Sequence, residues 1–127
     1  MPVIKMRGGH RDLVVWQKSM QLVTSVYAAT ACLPREERYG LCSQMRRAAV
    51  SVPSNIAEGY ARNSRNELHH FTGQARGSLA ELETQIEIAL NLRYLQEEVA
   101  SDLLMKTSEV GRMLTGLRTW SAQKPNY

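Results

Sequence analysis

A proline inside an otherwise helical segment is the strongest constraint on how this chain folds. Residues 44–60 contain Pro53 together with apolar residues at the three- and four-residue spacing of one helix face. Pro53 cannot donate a backbone hydrogen bond, and its ring crowds the carbonyl group of Ala49. The segment therefore predicts a long helix that is kinked near Pro53. Its predicted inward residues are Met45, Ala48, Val52 and Ile56.

Three other segments show helical spacing, whereas strand signals are nearly absent. The first helix is predicted to end before Pro34. The third begins at the capping box formed by Ser64 and Glu67, and the fourth begins at Glu97. The predicted inward rows are Leu13, Trp16, Met20, Val23 and Tyr27 in the first helix; Leu68, Phe71, Ala75, Leu79, Leu82, Ile86 and Ala89 in the third; and Val99, Leu103, Val110, Met113, Leu117 and Trp120 in the fourth.

Together these segments predict an all-α fold, an antiparallel up-down four-helix bundle. The turn over residues 91–96 is short, so the third and fourth helices should be antiparallel neighbours. A chain of 127 residues is long enough for one hydrophobic core. Residues 1–127 are therefore predicted to form a single domain, with flexible ends at residues 1–10 and 122–127.

Two features go beyond what a minimal bundle requires. Gly73 and Gly77 each cost the third helix about 1 kcal/mol of helix propensity relative to Ala, which predicts the close approach of a neighbouring backbone. The first helix also carries a second apolar row, made of Val15, Leu22 and Val26. This row predicts an oligomer interface that is buried against another subunit. The alternative is a broad stripe that faces the core of the same chain.

Composition narrows the class of protein. Cys32 and Cys42 are too few for a disulfide scaffold and lack metal-ligand spacing. The N-terminal residues contain no apolar run of signal-peptide length, and no stretch approaches the ~20 apolar residues of a membrane span. We expect a cytoplasmic protein with no membrane partner and no cofactor.

Positive charge is concentrated in the first part of the chain. Residues 1–77 have a net charge of +6 and residues 78–127 a net charge of −2, which makes an anionic partner plausible. Arg65, His69 and Arg76 are predicted to share one helix face. The nucleic-acid-binding candidates are Lys18, Arg46, Arg47, Arg62, Arg65 and Arg76. Two alternatives stay open: a solvated charged face, and an internal role for Arg46 or Arg47 in satisfying loop carbonyls or a carboxylate.

Catalytic signatures are weak. Glu67 and His70 have the Glu-x-x-His spacing of di-iron bundles, but those sites need two such motifs and two further glutamates. Ser, Cys and His form no obvious nucleophilic arrangement. Gly8 and Gly9 lack the Lys-Ser/Thr that completes a phosphate loop. The sequence therefore predicts no enzyme activity, no catalytic residues, no metal site and no small-molecule substrate.

Four motifs in order resemble one family, the four-helix-bundle proteins named for ribosomal-RNA intervening sequences. They lie at residues 11–16, 44–60, 78–85 and 109–114, and the similarity extends over residues 11–120. The resemblance implies an up-down four-helix bundle and a ring of five identical subunits. The accessory variability determinant of diversity-generating retroelements looks like a distant relative; it is a basic pentameric barrel associated with nucleic acid. Two departures are Arg93, where glycine is common in the family, and Gln96, where a serine-type cap is common, so strain is expected in the turn at 91–96.

Two functional hypotheses follow. The first is a homopentamer that binds structured RNA or DNA through backbone charge, without catalysis and without base specificity; its motive is the +6 first part of the chain together with the resemblance. The second is a protein-interaction scaffold in which the basic charge is incidental, and its motive is the second apolar row of the first helix.

Overall fold

A computed structural model describes residues 8–122, and in this range the chain is all-α, as predicted. The four helices are α1 (Val14–Thr30), α2 (Leu41–Ala61), α3 (Arg65–Asn91) and α4 (Glu97–Ala122), with short 3-10 helices at Gly9–Asp12 and Arg35–Glu37. Most of the ends that we predicted to be flexible, residues 1–7 and 123–127, lie outside the described residues. Gly9 and His10 belong to the first 3-10 helix, and Ala122 ends α4.

Consecutive helices pack side by side around one aliphatic core. Across the pair α2 and α3, Ser51 hydrogen-bonds Ser78, and Gly59 lies against Leu68. Across α3 and α4, the hydrogen bond between His69 and Ser121 and the contact of Leu79 with Gly111 follow the same trend. As residue numbers rise along one helix, those of its partner fall, so these neighbours run in opposite directions.

Helix α2 continues through its proline. Pro53 is buried inside the helix, which extends unbroken from Leu41 to Ala61. Beside it, the Asn55 side chain donates to the Ser51 carbonyl at 2.8 Å and contacts the Ser51 hydroxyl at 2.9 Å. Ser51 in turn hydrogen-bonds Ser78 of α3 at 2.7 Å. These polar contacts join α2 to α3 next to the proline, and the kink stays a prediction.

In α1 the structure supports the alternative of a broad stripe that faces the core of the same chain, since Leu13, Trp16 and Val23 of the first row also pack against that core. Leu22 and Val26 are fully buried and Val15 nearly so, whereas Met20 and Tyr27, which we placed in the core, are each 43% exposed. The row assigned to an oligomer interface is therefore the core row of the same chain. It was missed because Ser19 and Thr30 complete it: their hydroxyls donate to carbonyls of their own helix at 2.7 Å, so both are buried without a polar penalty.

The rows predicted for α2 and α3 are confirmed. Met45, Val52 and Ile56 of α2 are fully buried, and the α3 row is buried except for Phe71, which is half-buried. The start of α3 is also confirmed, because the Ser64 hydroxyl accepts a hydrogen bond from the Glu67 backbone at 3.3 Å. In α4, however, Trp120 is 49% exposed and does not belong to the core.

The close approach that we expected at Gly73 and Gly77 occurs elsewhere. A Cβ at Gly77 would meet nothing within 4 Å, and a Cβ at Gly73 would meet only the Arg118 side chain, at 3.3 Å. At Gly59, in contrast, a Cβ would lie 2.8 Å from the Phe71 Cβ and 3.3 Å from the Leu68 Cα. Gly59 is thus a position of close approach between α2 and α3.

The link between α1 and α2 is held to the opposite turn by Glu37. Its carboxylate accepts a hydrogen bond from the Leu41 backbone at 3.0 Å, at the start of α2. The Tyr94 hydroxyl donates to the same carboxylate at 3.1 Å. This hydrogen bond, together with partial desolvation, raises the pKa of Tyr94 above its ordinary value.

The turn after α3 contains a residue in a conformation that favours glycine. Arg93 has φ of 63°, and the Tyr94 N–H donates to the Ala89 carbonyl at 2.8 Å, the long hydrogen bond of a Schellman motif. The left-handed conformation costs an L-residue about 1–2 kcal/mol, in keeping with the strain expected in this turn.

Replacing Arg93 with Gly should therefore stabilise the protein by up to about 1 kcal/mol, because the glycine has no Cβ to strain. Urea unfolding followed by circular dichroism measures the gain. Asn63→Gly is the matched control: Asn63 also has positive φ, 58°, but asparagine tolerates this conformation, so its gain should be smaller. An equal or larger gain at Asn63 would contradict the strain assigned to Arg93.

Candidate nucleic-acid interface

The six candidate residues do not form one patch. Arg46 and Arg47 lie near the start of α2, whereas Arg62 and Arg65 lie at its far end, around the turn into α3. The rise of 1.5 Å per helical residue separates these two groups by about 24 Å. Lys18 lies on α1, and Arg76 lies further along α3.

Arg46 has an internal role. Its Nε donates to the Thr30 hydroxyl at 2.8 Å and its guanidinium donates to the Tyr27 carbonyl at 3.2 Å. The guanidinium also stacks on the Tyr27 ring, 4.5 Å from its centroid. These contacts satisfy the carboxyl end of α1, so the guanidinium is occupied within the bundle. Its neighbour Arg47 is exposed, and no ion pair within residues 8–122 involves it.

Arg62 and Lys18 each have a carboxylate partner. Arg62 contacts Glu58 at 2.9 Å and Glu67 at 3.7 Å, and Lys18 contacts Glu109 of α4 at 3.6 Å. All of these side chains are substantially exposed, so the ion pairs add little stability. They do compensate the local charge, which weakens the case for either residue as a phosphate ligand.

The surface along α3 and α4 holds three further arginines, in two depressions that have no lining residue in common. Arg76 of α3 and Arg112 of α4 line a depression of about 470 Å³ between the two helices. Arg118 of α4 and residues of α3 line a second one of about 630 Å³. We call these two depressions together the arginine groove. The face predicted for Arg65, His69 and Arg76 is the one that borders α4.

Helix contacts hold the α4 arginines in place. The Arg118 side chain lies over Gly73, and its Nε is buried without a hydrogen-bond partner among the described residues. His69 contacts the Arg118 carbonyl at 3.0 Å through Nδ1. Arg112 donates to the Ser108 hydroxyl at 2.9 Å. The absent side chain of Gly73 makes room for the guanidinium at the mouth of the groove.

The groove carries an excess of positive charge, because three arginines and two glutamates line it. Across residues 8–122, no ion pair neutralises Arg76, Arg112 or Arg118. The acidic residues on the groove walls are Glu81 and Glu83, and neither forms an ion pair with these arginines in the described range. Each of these guanidinium groups has N–H donors beyond the Arg112 contact with Ser108 and the buried Nε of Arg118, and such donors suit phosphate oxygens, which accept paired hydrogen bonds.

A third pocket, lined by two aromatic residues, lies beside the turn from α2 to α3. The Arg65 guanidinium lies 4.1 Å from the centroid of the Trp120 ring. Tyr60, 42% exposed, lies across the pocket, and buried Leu68 lines it. The pocket encloses about 280 Å³.

Other kinds of site lack support in the described range. No group of three His, Cys, Asp or Glu side chains there could hold a metal ion. None of the helices in that part of the chain is both long enough and apolar enough to span a membrane.

Comparison with known proteins gives the ancestry of this fold. A family model described as 23S rRNA-intervening sequence protein matches residues 11–116. The chain belongs to this family. A crystal structure of a protein with unknown function, from the S23 ribosomal protein family of Bacteroides thetaiotaomicron, superposes with a TM-score of 0.78 at 21% identity, covering 85% of this chain and 97% of that one. At this identity the structure supports the fold alone. A comparison with curated protein sequences finds no match.

Two groove residues were not among the candidates predicted from the sequence. Arg112 and Arg118 lie in the part of the chain with net charge −2, and that average hid them. The register of the α3–α4 hairpin could have revealed them, because facing residues such as His69 and Ser121, or Leu79 and Gly111, have numbers that sum to 190. That rule places Arg76 between Arg112 and Arg118.

Proposed function

We propose that this member of the 23S rRNA-intervening sequence family is a non-enzymatic, oligomeric, cytoplasmic protein that binds the backbone of structured RNA or DNA. The binding surface is the arginine groove rather than the whole set of basic candidates. Two cysteines without a disulfide partner in the described structure are in keeping with a reducing compartment.

One observation carries the proposal: Arg76 and Arg112, from neighbouring helices, line one open depression and Arg118 lines a second, and within residues 8–122 none of the three has an ion-pair partner. Guanidinium groups bind phosphate bidentately, and phosphate contacts supply most of non-specific affinity for nucleic acids. Arginines in two separate depressions on the same two helices can contact several phosphates, which suits a polymer better than a single small anion.

The oligomer in this proposal needs a different interface from the one we predicted. Since Val15, Leu22 and Val26 are buried in the core, they are not available to a second subunit. The exposed apolar residues of α1 are Val14, 55% exposed, together with Met20 and Tyr27. We assign the contact between subunits to this row, in a homopentamer as the family resemblance implies. Sedimentation equilibrium would give the number of subunits, and a monomer at all concentrations would refute this part.

The binding test is an electrophoretic titration against an RNA hairpin and a DNA duplex at several salt concentrations. Arg76→Gln combined with Arg112→Gln should weaken binding to both about tenfold and reduce the salt slope by about two, because two phosphate contacts are lost. Glutamine keeps most of the side-chain length, and circular dichroism checks that the fold is unchanged.

Arg47→Gln is the matched control, since Arg47 is also exposed but belongs to α2 and lines neither depression of the arginine groove. It should change the affinity less than twofold. Equal losses from both variants would indicate general charge rather than the groove, and no binding at low salt would refute the proposal. A protein partner that survives nuclease treatment and high salt would instead favour the scaffold hypothesis, with the exposed row of α1 as its surface.

A further inference from the structure

We infer that the pocket at the end of the bundle stacks one unpaired nucleobase, so that the preferred partner is nucleic acid with a single-stranded segment. We call it the Trp120 pocket; it is lined by Gly59, Tyr60, Asn63, Ser64, Arg65, Leu68 and Trp120. This inference rests on the proposed function and adds a ligand class to it: a flat aromatic ring beside a phosphate chain.

The pocket provides a stacking surface. Trp120 remains 49% exposed even with the Arg65 guanidinium 4.1 Å from its ring centroid. The exposure of this ring does not stabilise the bundle, because a tryptophan contributes to stability by burying its large apolar area. Stacking between a base, an indole ring and a guanidinium is a frequent mode of single-strand recognition.

The shape and chemistry of the pocket suit a single base. Its volume of about 280 Å³ lies just below the range of drug-sized pockets. Leu68 provides an apolar wall, being only 7% exposed, and Asn63 and Ser64 place polar side chains at the rim. Tyr60, 42% exposed, offers a second aromatic ring. Polar groups at the rim can hydrogen-bond the edge of a base whose faces are against aromatic rings.

The pocket and Arg118 lie at the same end of the bundle. Arg65 lies over the Trp120 ring, and the Arg118 side chain lies over Gly73 of α3. Because residues two apart on a helix point to different sides, Arg118 and Trp120 would contact different parts of one ligand. An unpaired base can enter the pocket while the backbone contacts arginines elsewhere on the bundle, whereas a fully paired duplex cannot turn a base inward without unstacking.

The test compares single strands with a duplex. Fluorescence titrations use oligo(U), oligo(dT) and a DNA duplex with the Trp16→Phe protein, in which Trp120 is the sole tryptophan. Both single strands should quench Trp120, and the duplex should not. A preference between oligo(U) and oligo(dT) would identify RNA or DNA as the better source of the base.

Variants give the second measurement. Trp120→Ala should weaken single-strand binding about tenfold or more while changing duplex binding less than twofold, and Trp120→Phe should restore most of the affinity because it keeps an aromatic face. Tyr39→Ala, at an exposed tyrosine near the other end of the bundle, should change neither. If Trp120→Ala proved unstable, the quenching and the Phe variant would still decide.

The outcomes separate this inference from the proposed function. Unchanged single-strand affinity in Trp120→Ala, or equal quenching by duplex and single strands, would overturn the base pocket while the groove variants still lowered binding. Absence of binding to every probe at low salt would overturn both.

Discussion

Replacing Leu22 with Ala should destabilise the protein by about 2–5 kcal/mol, a large share of the 5–15 kcal/mol that typically separates folded from unfolded domains. Leu22 is fully buried in the middle of the core row of α1. Truncation removes its apolar surface from the core and leaves a cavity, because the surrounding helices relax only in part. Urea unfolding followed by circular dichroism, at two protein concentrations, measures the loss.

Met20→Ala is the matched control on the opposite face of the same helix. Met20 is 43% exposed, so the loss from its truncation should stay below about 1 kcal/mol. If Met20 lies between subunits, its loss will grow with protein concentration, whereas the loss at Leu22 will not. A larger loss for Met20 than for Leu22 at low concentration would contradict the orientation of α1 described above.

Replacing Gly59 with Ala should destabilise the protein by about 1–3 kcal/mol, although alanine is the better helix former by about 1 kcal/mol. The added Cβ would lie 2.8 Å from the Phe71 Cβ and 3.3 Å from the Leu68 Cα. One of these neighbours is backbone, so the clash cannot be relieved by a side-chain rotation and α2 must move away from α3. The same unfolding experiment gives the value.

Gly77→Ala separates packing from helix propensity. A Cβ at Gly77 meets nothing within 4 Å, so the substitution should stabilise the protein by up to about 1 kcal/mol. We therefore expect Gly59→Ala to lower the free energy of unfolding and Gly77→Ala to raise it. A stabilising Gly59→Ala would show that the two helices can separate without loss, and the close approach at Gly59 would then have no structural role.

The sequence predicted α2 and α3 well and α1 poorly, for a physical reason. Core rows made only of apolar residues, such as Met45, Val52 and Ile56, are visible to a count of hydrophobic spacing. The core row of α1 includes Ser19 and Thr30, whose hydroxyls hydrogen-bond backbone carbonyls one turn earlier. That count scores them as polar, so the broader but half-exposed row appeared to face inward.

The candidate site was predictable only in part. The face containing Arg65 and Arg76 followed from helical spacing alone, but its partners on α4 depended on the register of the hairpin. Contacts within the bundle decided two other candidates. Arg62 forms ion pairs with Glu58 and Glu67, and Arg46 donates a hydrogen bond to the Thr30 hydroxyl. These partners become neighbours through local geometry and tertiary packing. A list of basic residues cannot distinguish an arginine that holds a helix end from one that faces solvent.

Both walls of the arginine groove come from two consecutive helices joined by the turn at residues 92–96. Each polypeptide therefore contains a whole site, and no residue of it has to be supplied by a neighbouring copy. Assembly can only multiply these sites along one ligand and raise avidity through effective concentration. After dilution to monomers, the affinity for a short oligonucleotide should be unchanged. The higher affinity of the oligomer for a long oligonucleotide should be lost.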